Sequence, residues 1–386
     1  MKRITIQERH DWKALAQQLG FKFHTIHGQP YWDESAYYQF TLAQIENDIE
    51  DPTTEIHGMC LDLVDRATAD ESILQRLRIP ELYWDHIRES WLQGDKQLYG
   101  RMDFRYDGEG PAKFYEYNAD TPTSLYESAF FQWVWLEQCI ERGILPEQSD
   151  QFNSIQEHLI EALAEINPPQ PLYFTCNKDT EEDRGTVQYL EDCAVQAGLK
   201  TQFIYIDDIG ISPHGQFTDL DDHTIPSLFK LYPWEWLMSE EFGPYIPACN
   251  TWFVEPAWKA VLSNKGILPL LWELHRHHPN LLPAYFEEEQ NSLSVQSGWV
   301  RKPLLSREGS NISVTINGNL CERVDGPYND SGYILQRYAP PAQFGRHYTL
   351  IGSWVVADRA VGMSIREDDS VITKDSSRFI PHIILD

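Results

Sequence analysis

A chain of 386 residues is too long for one simple core and predicts two or three packed subdomains. Its hydrophobic fraction of 42% and its 13% of Phe, Trp and Tyr exclude a disordered chain, and the formal net charge of −28 argues against nucleic acid, whose phosphates would be repelled. The six cysteines are spread without a CxxC pair and are expected as buried, reduced thiols; the start has no apolar signal core and no later run suits a bilayer span, so a cytoplasmic protein without a membrane partner is expected.

Residues 1 to about 30 are polar, and His24 and His27 are assigned no chemistry. From Thr41 to Ala69 apolar residues recur at helical spacing, and Asp51-Pro52 is expected to divide them into two helices. His57 and Cys60 stand three apart there, but without a partner pair they read as core packing in preference to half of a metal site. Helical spacing continues through Glu71–Leu98.

The stretch RMDFRYDGEGPAKFYEYNADTPT, from Arg101 to Thr123, predicts a β-hairpin with its turn at Asp107–Pro111. Alternation would put Phe114, Glu116 and Asn118 on one face, with Tyr115 and Tyr117 on the other. Asp103, Glu116 and Asn118 would then offer three oxygen ligands, a set suited to a hard cation such as Mg2+. A solvated hairpin face with scattered charge reads equally well from these residues alone. An apolar helix over Leu125–Cys139 follows, capped by Thr123 or Ser124, whose hydroxyls could also meet an anionic ligand.

Another helix covers 154–166 and stops before Pro168-Pro169. Leu172–Cys176, Glu181–Gly198 and Thr201–Ile206 then read as a βαβ unit, with Glu181 and Glu182 beyond the first strand's carboxyl end. Two carboxylates there suit the dipole of an acidic first helical turn, and could also grip a substrate ammonium. Leu228–Trp236 reads as strand then helix, and His275, His277 and His278 cluster in a turn without ligand-spaced partners. Trp299–Ile316 reads as two strands around a loop, with Lys302 extended before Pro303 and Arg307 and Gly309 in the loop. The remainder alternates strands and turns.

The blocks EYNADTPTS, PAWK, SNKGILPLLW, RKPLLSREGSN and SIREDDSVITKD together resemble the synthetase domain of the glutathionylspermidine synthases and their shorter stand-alone acid–amine ligase relatives. The resemblance covers nearly the whole chain. It implies an α+β / α/β ATP-grasp fold, circularly permuted as in the glutathione synthetase group, with a small parallel βαβ substrate subdomain. A helical segment with the metal hairpin (101–118) would span about 1–168, the substrate subdomain about 170–255, and the lysines, phosphate lid and last strands about 256–386. It implies ATP as co-substrate, with Asp103, Glu116 and Asn118 holding magnesium, two ions with ATP. Arg101, Met102, Asp103, Lys265, Lys302, Glu308, Gly309, Gln336, Arg337, Tyr338, Ala339, Leu350, Val371, Ile372 and Thr373 would bind the nucleotide, with Arg307-Glu308-Gly309 as lid. Arg101, Arg307 and Arg366 would be catalytic, and Thr121, Thr123, Glu181 and Glu182 would hold the acid substrate. Thr121 and Thr123 stand where the bifunctional synthases have serines, Leu231 where they have a threonine, and Leu350 where they have a glutamine. The implied reaction joins a small carboxylate to a small amine through an acyl phosphate, releasing ADP and phosphate. A glutathionylspermidine synthase in the strict sense, or a nucleotide-binding protein with residual ATPase activity, are the alternatives.

Overall fold

The longest strands, His347–Val356 and Arg359–Asp368, pair antiparallel at the centre of a six-stranded sheet. The computed structural model describes residues 1–26, 28–289, 298–328, 331–374 and 377–386. His27, and Asp375 at the end of the SIREDDSVITKD block, lie outside those residues. In this sheet the order is Arg378–Phe379, Arg359–Asp368, His347–Val356, Tyr99–Arg105, Lys113–Asn118, with Ala342–Phe344 paired to one end of His347–Val356. Eight of the ten residues of His347–Val356 are buried, because the sheet is covered by helices such as Ile155–Ile166 and Asp51–Ala69.

A second antiparallel sheet of five strands runs Ala284–Phe286, Tyr333–Arg337, Trp299–Pro303, Ser313–Ile316, Asn319–Arg323. The predicted βαβ unit forms, with helix Glu181–Gln196 between strands Leu172–Thr175 and Thr201–Phe203. It belongs to a larger all-parallel sheet in which Ser227–Lys230 and Trp252–Val254 lie beyond Leu172–Thr175. A small three-stranded mixed sheet ties Lys2–Thr5 and Ala36–Phe40 to His382–Ile384.

Asp51-Pro52 does not break the first long helix. The run from Leu42 to Ala69 is continuous, and a π-helical turn at Glu46–Glu50 hands over to helix Asp51–Ala69. Pro52 falls in the first turn of that helix, where a missing N–H costs little. His57 packs in the core, its ring nitrogens against Asp358 at 2.9 Å and the Tyr117 hydroxyl at 3.2 Å. Among the described residues no helix is long and apolar enough to cross a membrane. Four cysteines are buried, as expected, whereas Cys321 is exposed on an outer strand.

Candidate active site

The hairpin forms with Asp103 directly opposite Glu116 and Arg101 opposite Asn118. One residue further on the register slips: Phe104 pairs with Phe114, so Tyr115 is an extra residue in a β-bulge. Simple alternation therefore fails. Phe114 is buried with Tyr117, Met102 and Phe104 in the core, while Tyr115 and Glu116 both turn to a cleft. Met102, expected at the nucleotide, has its whole side chain in that core and its backbone in the ladder, so it is withdrawn from the cleft.

Charges at the cleft are paired, within the hairpin and with lysines beyond it. The Arg101 guanidinium meets Asp103 at 2.7 Å, and the Asn118 amide nitrogen donates to the same carboxylate at 3.0 Å. Glu116 meets the Lys265 ammonium at 3.3 Å; that lysine also donates to the Ser306 carbonyl at 2.6 Å from a turn between two short helices. Lys302 donates to the Tyr115 carbonyl at 3.0 Å. Burial pushes the Glu116 carboxyl up, but Lys265 and Lys302 outweigh it and hold it at about 2. Burial raises Asp103, against the pull of Arg101, and lowers Lys302 to about 8. Two carboxylates face one another across one ladder step, and the Asn118 amide nitrogen is engaged with Asp103, leaving its oxygen as the remaining donor. That donor set fits a hard divalent cation.

The cleft lies between the two antiparallel sheets and has an empty volume, mouth included, of about 630 Å3. Its polar end holds Asp103, Glu116 and Lys302, and the expected Gly309, Gln336, Arg337, Tyr338, Ala339, Leu350, Val371, Ile372 and Thr373 all line it. Gln336 is buried and its amide donates to the Phe114 carbonyl at 3.1 Å, while the Tyr115 hydroxyl donates to the Ala339 carbonyl at 2.5 Å. Arg337 stands exposed at the rim. The apolar walls are Val300, Ile312 and Val314 from the five-stranded sheet and its loop, facing Leu350 and Ile372.

A more polar cavity of about 710 Å3 continues from it, sharing Asp103, Glu116, Gly309, Leu350 and Thr373. Three guanidiniums, Arg101, Arg307 and Arg366, line this part together with Asn118, Thr121, Thr123, Glu182 and Glu308. Arg366 is fixed by the Ser124 hydroxyl and the Ser377 and Lys374 carbonyls, each at 3.0 Å. The Ser124 hydroxyl bonds Arg366 and Tyr31, at 2.8 Å to the latter, while the Ser124 carbonyl accepts from the Ser128 hydroxyl in the helix that follows.

A family model described as glutathionylspermidine synthase preATP-grasp matches residues 3–385. The chain belongs to the glutathionylspermidine synthase family. A protein of Haemophilus influenzae whose name provisionally assigns it as an acid–amine ligase is 42% identical over 402 residues, covering 99% of either chain. The bifunctional glutathionylspermidine synthetase/amidase of Escherichia coli strain K12 is 27% identical over 384 residues; the match takes in 92% of this chain and 60% of that protein. Among solved structures, a glutathione synthetase-like effector of Globodera pallida superposes with a TM-score of 0.59 at 12% identity, over 98% of both chains. The fold is thus the ATP-grasp of the glutathione synthetase type, as the sequence blocks implied, and the chain is an ATP-dependent ligase of this family.

Not every position of this synthase-family chain falls where expected. Glu181 is exposed at the start of its helix and lines neither cavity, whereas its neighbour Glu182 lines the polar one; adjacent residues of a helix point about 100° apart. Burial, with Glu127 adding to it, raises the Glu182 carboxyl to about 8. Glu127 escaped the sequence reading: it is fully buried near the Tyr31 phenol, and burial raises its carboxyl. Its position, three residues after Ser124 in an apolar helix, was the available signal. Val300 and Val314 were missed because apolar strand residues beside Lys302 read as core. Leu231 is buried in the second hydrophobic cluster and reaches neither cavity.

Proposed function

We propose that the chain joins a small carboxylate to a small amine, with ATP activating the acid as an acyl phosphate. One observation carries this reading: an apolar cleft and a guanidinium-lined cavity meet at Asp103 and Glu116. Adenine would lie between Val300, Val314, Leu350 and Ile372, and the phosphates would run toward Lys302 and Gly309. A Cβ at Gly309 would stand 2.7 Å from the Thr373 carbonyl, and its φ of +73° is one that glycine adopts freely, so the loop is able to lie close over its ligand. Magnesium held by Asp103, Glu116 and the Asn118 amide oxygen would neutralise the phosphate oxygens.

In the polar cavity Arg101 and Arg366 orient the acid's carboxylate toward the γ-phosphorus. Its oxygen attacks, the bond to the β–γ bridging oxygen breaks, and ADP leaves. The amine then attacks the acyl carbon, a proton is lost from nitrogen, and phosphate departs. Arg307 and Arg366 stabilise negative charge on the oxygens in both steps, and the chain's contribution is positioning and charge. Thr121, Thr123 and Glu182 would hold the rest of the acid.

The test measures phosphate release from ATP and Mg2+ across a panel of acids and amines, glutathione with spermidine among them, with hydroxylamine added to intercept an acyl phosphate as hydroxamate. Acid-dependent hydroxamate supports the reading. Phosphate release indifferent to every acid, without hydroxamate, would leave residual ATPase activity in its place.

A further inference from the structure

On one face of the parallel sheet, apart from the reaction cleft, lies a cavity with an empty volume of about 780 Å3. It shares no residue with either part of the cleft. Its floor is Leu228 and Phe253, neighbours in register on adjacent strands, and its walls include Phe217, Phe242 and Tyr232. Three carboxylates, Asp207, Glu240 and Glu241, stand on the same lining, and among the described residues no Lys, Arg or His does. Glu240 accepts the Tyr232 hydroxyl's hydrogen bond, and Asp207 is near enough to act on that phenol electrostatically. Four aromatic rings under a wholly acidic rim favour one kind of occupant. Ring faces attract a desolvated cation, the carboxylates supply its counter-charge, and the apolar floor takes up a hydrocarbon body.

We propose that this cavity is a binding site for a small organic ammonium ion, separate from the place where the amide bond forms. An anion would meet three like charges, and a purely apolar ligand would leave the carboxylates unused. Segment 230–237 connects the two places. Leu237 faces the cavity, while Glu235, in the same short helix, pairs with Arg307 of the cleft at 3.0 Å. A ligand in the cavity therefore touches the element that steadies Arg307.

Calorimetry with phenethylammonium, its neutral analogue 2-phenylethanol and the anion 3-phenylpropionate tests the site on the whole chain, without ATP. The cation should bind and the other two should bind at least about tenfold more weakly, the span of one charge-assisted contact. The double variant Asp207→Asn, Glu240→Gln, at exposed positions that support little packing, should weaken the cation by about ten- to a hundredfold. Glu182→Gln, in the reaction cleft, should leave it unchanged. Equal binding of alcohol and cation, no binding of the cation, or loss on Glu182→Gln but not on the double variant would each overturn the assignment. The last result would move the cation to the cleft.

Discussion

Burial lowers the Lys302 ammonium to about 8, Glu116 raises it, and Lys265 lowers it again. Its charged form is the one that phosphates favour, so below about 8 nucleotide binding should be level with pH. Above that value binding must take up a proton, and the ATP dissociation constant should rise by up to about tenfold per pH unit. Calorimetry at about pH 7 and pH 9 checks this, and in Lys302→Met the pH effect should vanish along with about ten- to a hundredfold of affinity. Glu116 behaves in the opposite sense. Its carboxyl is held below the ordinary range, so its contribution to stability is complete above that range and is lost as the pH falls toward about 2. Glu116→Gln should abolish Mg2+-dependent ATP turnover, and it should also lower the melting temperature, because Lys265 and Lys302 would face one another without a carboxylate. Unchanged turnover in folded Glu116→Gln protein would remove this residue from the metal site. Read from sequence, Glu116 was a metal ligand or, equally well, a solvated hairpin carboxylate; the two lysines that flank it lie far along the chain, and spacing does not show them.

The loop Ser306–Asn311 illustrates the same limit at the level of an element. The resemblance makes its Arg307-Glu308-Gly309 a lid, and a polar lid is expected to order on binding. In the fold it is fastened at several points: Arg307 bonds the Thr121 hydroxyl and Glu235, Lys265 holds the Ser306 carbonyl, and Gly309 lies against Ile372 and Thr373. Limited proteolysis should therefore find this loop resistant even without nucleotide. Glu235→Gln should open it to cleavage, and ATP with Mg2+ should close it again. Rapid cutting of the unmodified chain at 306–311 would show that these ties do not hold. The hairpin was readable from its turn residues and its flanking strands, and Asp103 does face Glu116. The bulge at Tyr115 was not, since a register slip is decided by what lies on both faces. Here Phe114 and Tyr117 both seek the core, and only an extra residue between strand partners lets Glu116 stay in the cleft.

Across the whole molecule, one buried ion pair joins the end of the metal hairpin to the parallel sheet. Asp120 meets Lys230 at 2.7 Å and accepts the Trp234 backbone N–H at 2.8 Å, with both charged side chains out of solvent. Lys230→Met should cost about 3–5 kcal/mol, because it strands a buried carboxylate. Urea unfolding checks the figure. A single transition that shifts as a unit is expected, since the largest hydrophobic cluster contains residues of both antiparallel sheets and of the parallel one. The ligase class was legible because the blocks that carry it are contiguous in sequence. In the parallel sheet the strand Ser227–Lys230 was legible together with the helix Trp234–Leu237 that follows it, whereas Trp252–Val254, three residues running straight into Glu255-Pro256, was not.

The pairing of Tyr99–Arg105 with His347–Val356 also bears on how the protein is made. During synthesis the hairpin emerges early, yet the strand that completes it comes near the end of the chain. At about 5–20 residues per second the hairpin waits on the order of tens of seconds with one edge unpaired. Over that interval the nascent chain presents Met102 and Phe104 without their final cover. The ribosome-bound intermediate, not the finished enzyme, is then the species most in need of a chaperone.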